Sequence, residues 1–244
     1  MKIAISQLNQ IPGNDQHRLD NNITNQLIMA VNKAVEHIRI SGEKECDLIC
    51  FPQWFVGLGV KEEIPNQITE KISQAAKKYN IKVITGTFRI PSDGLKSRQC
   101  SLFINENGEI KGCQEKKNLY ALEIQWYDSN DEISYFDTSI GRIVISHGDD
   151  CLDLDVYQKV QKIKPDIWVL QANSLINPEK IIKSKESFKD AVCKRSQEIE
   201  CTCAIPMMLG EFLHVNYTGG SFFVKDGNVM KSIEDEEELL IYED

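Results

Sequence analysis

Two hydrophobic periods alternate along this chain, and their order restricts what it can fold into. Lys2-Ile3-Ala4-Ile5-Ser6-Gln7-Leu8-Asn9 and Asp47-Leu48-Ile49-Cys50-Phe51 are short apolar runs of strand character. Between them, over Leu19–Ile40, the residues Ile23, Leu27, Ile28, Ala30, Val31, Ala34, Val35 and Ile38 recur at helical spacing. The alternation continues. A helix is predicted over Ile64–Tyr79, with Ile68, Ile72, Ala75 and Ala76 on one side, and a strand over Lys82–Phe88. Ser101–Ile104 and Glu109–Gln114 flank the turn signal Asn105-Glu106-Asn107-Gly108. Gly141–His147 and Asp166–Gln171 read as strands around a helix over Val156–Ile163, which Pro165 stops. A helix over Lys180–Ile199, a strand over Thr202–Leu209 and a hairpin of Gly219–Val224 with Val229–Ile233 complete the pattern. Strands alternating with helices, with hairpins inserted, predict an α/β fold with mixed rather than purely parallel sheets.

The chain has 244 residues, 41% of them hydrophobic, enough for the core of a single α/β domain over 1–244. A net charge of −9 disfavours nucleic acid and anionic membrane as partners. With no leader pattern and no apolar run of about 18 residues, the chain reads as cytoplasmic and not membrane-bound. In that compartment its eight cysteines are expected to be free thiols. Cys201 and Cys203 share a strand face and read as buried apolar side chains. The acidic run 234–238 reads as solvated, and Leu239-Leu240-Ile241-Tyr242 as a last strand that reaches toward a partner subunit.

Several local runs, taken in order, resemble one family. Phe51-Pro52-Gln53 follows the second strand. Lys116 stands two residues before Asn118-Leu119, after a strand that follows Asn107-Gly108, and Glu123-Ile124 lies seven residues further on. The run from Gly141 through His147-Gly148-Asp149-Asp150 to Asp155 follows, and Tyr217-Thr218-Gly219-Gly220-Ser221 precedes the last hairpin. Their order and spacing resemble the carbon–nitrogen hydrolase (nitrilase) superfamily, and the opening run resembles the glutaminase domain of glutamine-dependent NAD synthetases. The resemblance implies a nitrilase-like four-layer α-β-β-α sandwich that assembles into a homodimer or higher homo-oligomer. It implies no cofactor and no metal. It also implies a Glu-Lys-Cys triad with a second glutamate supporting the lysine. In this chain those positions read Gln53, Lys116, Gly148 and Glu123. The resemblance implies that the lysine stabilises an oxyanion. A glutamine cannot take up a proton near neutral pH, and a glycine offers no nucleophile.

Replacements for the nucleophile are few. Ser146 is expected on the same strand face as Gly148, lining the site, with His147 on the other face. Cys151 is three residues beyond, about 10 Å if the chain stays extended. His147, Asp149 and Asp150 are metal-ligand types but read more simply as a polar strand end. Gly57-Leu58-Gly59 lacks the third glycine of a dinucleotide loop. Trp54, Phe55, Trp126 and Tyr127 have no basic cluster beside them and read as site lining or subunit contact. The expectation is a non-catalytic family member in which Gln53, Lys116, Glu123, Ser146 and Gly148 bind a small amide- or carboxylate-bearing metabolite. The alternatives are a divergent amidase or nitrile hydrolase with a rearranged site, and a structural or interaction protein whose pocket has filled.

Overall fold

The computed structural model describes the chain apart from residues 11–20, 56–62, 120–122, 149, 173–177 and 213–214; the side chains of 10, 21–26, 151, 178–187, 211–212 and 215–216 are also left out of the description. In chain order the elements are β1 (Lys2–Gln7), β2 (Asn9–Gln10), α1 (Asn21–Glu43), β3 (Leu48–Cys50), α2 (Gln67–Lys78), β4 (Lys82–Pro91), β5 (Ser97–Ile104) and β6 (Ile110–Glu115). They continue with β7 (Tyr135–Thr138), β8 (Gly141–His147), α3 (Leu154–Ile163), β9 (Ile167–Gln171), α4 (Pro178–Ile199), β10 (Thr202–Ile205), β11 (Leu209–Phe212), β12 (Val215–Thr218), β13 (Phe222–Lys225), β14 (Asn228–Ser232) and β15 (Glu238–Glu243).

Two six-stranded mixed sheets result, ordered β15-β1-β3-β4-β5-β6 and β14-β13-β10-β9-β8-β7. Strand alternation gives each sheet two apolar faces. Ile3, Ile5, Leu48, Cys50 and Ile84 of the first sheet pack on Ile143, Ile145, Ile167, Val169, Ala204 and Phe223 of the second. Residues of opposite parity face helices. Ala4, Ile49 and Val83 pack against Val31, Ala34 and Ile38 of α1 and Ile72 and Ala76 of α2. Val144, Trp168, Leu170 and Cys203 pack against Val156 and Val160 of α3 and Phe188 and Val192 of α4. The layers are therefore α-β-β-α, as expected.

Differences from the sequence reading have local causes. α2 starts at Gln67 rather than Ile64 because Asn66 caps it, accepting from the Ile68 and Thr69 amides at 3.1 and 3.0 Å. The stretch Thr202–Leu209 is two strands, broken at Pro206, which has no N–H for a ladder. Its second part, β11, joins β12 and β2 in a small third sheet. The last strand forms as expected: β15, at the edge of the first sheet, runs antiparallel to β1, from Lys2 opposite Glu243 to Gln7 opposite Glu238. Cys201 and Cys203 are buried thiols not joined in a disulfide, their sulfurs 3.8 Å apart. Among the described residues, no helix is long and apolar enough to cross a membrane.

Gln7 ties the two sheets at one end. It is fully buried, and its Oε1 accepts from the Ser221 amide at 2.9 Å and the Ser221 hydroxyl at 2.7 Å. Its Nε2 donates to the carbonyls of Glu234 and Glu236 at 2.7 and 2.8 Å. Gln7→Leu keeps the volume and strands these partners, so it should lower stability by about 3 kcal/mol. Urea unfolding measures this; a change under about 0.5 kcal/mol would show that Gln7 does not join the sheets.

Candidate functional site

Gln53 sits just past β3, held by β4. The Phe51 amide donates to the Ile84 carbonyl at 3.0 Å, and the Gln53 carbonyl accepts from the Thr87 amide and, at 2.6 Å, from the Thr87 hydroxyl. Gly86 permits this approach, since a Cβ there would stand 2.2 Å from the Pro52 oxygen and 2.8 Å from the Gln53 oxygen. The Gln53 side chain is fully buried and its Nε2 donates to Gln99 Oε1 at 3.2 Å. Trp54 Nε1 donates to the same oxygen at 3.1 Å. Gln99, on β5, donates in turn from Nε2 to Glu123 Oε1 at 2.8 Å. Lys116 follows β6, and its amide donates to the Gln99 carbonyl at 2.8 Å. Its Nζ, on a side chain 1% exposed, contacts both Glu123 oxygens at 3.0 and 2.9 Å and lies 5.7 Å from the centre of the Trp54 ring.

Gln53, Lys116 and Glu123 thus form one buried network, with Gln99 and Trp54 as members. Gln99 carried no motif, and the sequence reading starts its strand at Ser101, whereas β5 begins at Ser97. Gly148 enters through its backbone. Its amide donates to the Gln171 carbonyl at 2.9 Å, and Gln171 Nε2 donates to the Phe51 and Thr85 carbonyls at 2.7 and 2.6 Å. Gly148 has φ +55°, in the left-handed region that favours glycine.

Ser146 does not line this site. Its buried hydroxyl accepts from Trp168 Nε1 at 3.0 Å, on the helix side of the second sheet. His147 faces the first sheet instead, with Nε2 2.9 Å from the Ser101 hydroxyl. The expected arrangement was the reverse. It extended strand alternation to Gly148, whereas β8 ends at His147 and the chain turns at Gly148. Asp150 accepts from the His147 amide and from Asn118 Nδ2, both at 2.7 Å. Burial pushes its carboxyl up to about 6, against those two hydrogen bonds and the Lys116 charge. Asp153 caps α3, and Asp155 pairs with Lys117 and Lys159. Of the aromatics, Trp54 joins the site, Phe55 packs on Phe51 and Phe88 in the helix-facing core, Tyr127 is buried and Trp126 is exposed. Gly57-Leu58-Gly59, Asp149 and the Cys151 side chain lie outside the described residues.

Ser101 and His147 look like a nucleophile and its base, but the hydrogen-bond polarity is opposite. Two carbonyl oxygens fix Gln171 Nε2 as the donor end, so Gln171 Oε1 is the atom facing Ser101, at 2.5 Å. Ser101 must donate to it, and therefore accepts from His147 Nε2–H. A histidine that donates to a serine cannot remove that serine's proton.

The carbon–nitrogen hydrolase family model matches residues 2–149, which include Gln53, Lys116, Glu123 and Gly148. The chain belongs to this family. Comparison with curated proteins gives no match. Among solved structures, an amidase from Nesterenkonia sp. superposes with a TM-score of 0.80 at 16% identity, over 99% of this chain and 89% of that one. The glutamine-dependent NAD+ synthetase from Acinetobacter baumannii superposes with a TM-score of 0.75 at 15% identity, over 98% of this chain and 44% of that one. At such identities the likeness is one of fold.

The buried histidine gives this carbon–nitrogen hydrolase family member one acid-sensitive contribution to its stability. Burial, with the Lys116 charge adding to it, pushes the His147 ring down to about 3. The unfolded chain binds a proton below the ordinary histidine value of about 6.5 while the folded chain does not. Stability is therefore lost as pH falls from about 6.5 toward 3. Asp150 works in the opposite sense: its raised value favours the folded state at low pH and loses that contribution as pH rises from about 4 to 6. His147→Gln removes the first effect alone. Between pH 7 and 5 it should lose about 2 kcal/mol less stability than wild type. Equal losses in urea titrations at the two pH values would contradict a neutral buried His147.

Proposed function

We propose that this chain is a non-hydrolysing carbon–nitrogen hydrolase family member that keeps its lysine-centred site to bind a small metabolite bearing an amide or carboxylate. The observation that carries this reading is the pairing of what is kept with what is replaced. Lys116 and Glu123 hold a two-oxygen contact in a buried setting, while Gln53, an amide, and Gly148, without a side chain, stand where the family resemblance places base and nucleophile. A buried ion pair is not needed for stability, since apolar side chains of similar volume commonly do as well. Its retention supports a site that still meets a polar ligand.

The Nesterenkonia sp. AN1 amidase offers a parallel. A double mutant of it, with one glutamate changed to glutamine and one cysteine changed to alanine, is described in complex with acrylamide. Amide binding is compatible with such changes in that protein, and this supports binding without hydrolysis here. The polarity of the Ser101–His147 contact and the engagement of Ser146 by Trp168 weigh against a nucleophile rebuilt from those groups.

Thermal-shift and calorimetric screening of small amides and carboxylates tests the reading. A compound should stabilise wild type and fail to stabilise Lys116→Met/Glu123→Gln, which removes both charges and leaves neither buried alone. At a ligand concentration of about 100 Kd the wild-type gain is about 2.7 kcal/mol. If no compound stabilises wild type, or the variant responds equally, the site does not bind and a filled, structural role replaces it.

A further inference from the structure

Three buried side-chain polar atoms among the described residues have no hydrogen-bond partner: Ser41 Oγ, Arg98 Nε and His147 Nδ1. The third belongs to a ring on which the Lys116 charge acts directly. His147 is 0% exposed, and a buried polar atom without a partner calls for an unseen water or ligand. The hydrogen bonds around it define what that ligand must offer. The Phe51 and Thr85 carbonyls orient Gln171, Gln171 orients the Ser101 hydroxyl, and Ser101 leaves His147 Nε2 as the N–H end of the ring. The ring is neutral, so Nδ1 carries a bare lone pair that accepts and cannot donate. Nδ1 is the ring nitrogen nearer the main chain, so it lies by the end of β8, where the next residue, Gly148, has no side chain.

Charge points the same way. The charged side chains around it include Lys116, Glu123 beside it, and Asp150, whose carboxyl burial pushes up to about 6. Lys116 is already balanced, and an added carboxylate would meet negative charge. A neutral N–H donor meets a matching lone pair instead.

We infer that His147 is the specificity-determining residue of this site: its Nδ1 accepts an N–H from the bound ligand, so the site selects a carboxamide over its ketone and carboxylate counterparts. This rests on the binding reading proposed above.

Three probes of nearly equal size separate the possibilities. Propionamide carries the N–H, butanone replaces the NH2 group by a methyl, and propionate replaces it by a charged oxygen. Two variants separate the ring nitrogens. In His147→Gln the side-chain amide reaches about as far as Nε2 and retains the Ser101 contact, with nothing at the Nδ1 position. In His147→Asn an oxygen can stand near the Nδ1 position. Affinities come from titrations followed by 15N spectroscopy of histidine-labelled protein, which has only four histidines to assign.

Wild type should bind propionamide about tenfold more tightly than butanone, and more tightly than propionate. Propionamide should shift the unprotonated His147 Nδ1 resonance. His147→Gln should bring the amide-to-ketone ratio close to one, and His147→Asn should restore part of it. If propionamide binds but His147→Gln keeps the tenfold ratio, or Nδ1 does not shift, the inference about His147 falls while the binding site stands. If none of the three probes binds wild type, the inference and the binding reading fall together.

Discussion

The site depends on a lysine ammonium placed out of water. Lys116 is 1% exposed, and a charge so placed is tolerable only with an opposite charge in direct contact. Glu123 supplies it through both oxygens, and the remaining orientations follow. Because Glu123 Oε1 also accepts from Gln99, the Gln99 amide must present its oxygen to the other side, toward Gln53 and Trp54. That oxygen requires donors. Gln53 can donate to it, and an ionised carboxylate at position 53 could not. The amide at 53 and Gln99 therefore form a matched pair, so changing Gln53 alone to glutamate would set an acceptor against an acceptor.

The second anchor is Gln171, whose side chain bridges the two sheets. It reaches from β9 to the Phe51 and Thr85 carbonyls of the first sheet, accepts from Ser101, and receives the Gly148 amide on its own carbonyl. The same residue therefore fixes the backbone at Gly148, the position to which the family resemblance assigns a nucleophile, and the tautomer of the histidine beside it. This makes His147 a neutral acceptor and excludes it as a base toward Ser101.

Much of the fold was legible because periodicity reports burial directly. The bounds of β8 follow from its apolar run, and α3 ends where Lys164 and Pro165 stop it. β7 was not foreseen, since Tyr135-Phe136-Asp137-Thr138 is a partly exposed edge strand with little apolar signal. Of the site, Lys116 and Glu123 were placed by the resemblance to the hydrolase family, and the structure links both to Gln53 through Gln99. Gln99 was not, because its role arises from cross-strand contacts that no local motif encodes. Ser146 and His147 were exchanged because alternation holds within a strand and stops at a left-handed turn. Gly148, a residue that favours such a turn, was the sign of it in the sequence.

The account holds that this site binds without chemistry. The direct measurement is ammonia release by wild-type protein from glutamine, asparagine, simple amides and nitriles, with mass spectrometry of the intact chain for a covalent adduct. The expected result is no release above the uncatalysed rate and no adduct. Turnover that disappears in Cys151→Ala would contradict the account and establish a rebuilt thiol site.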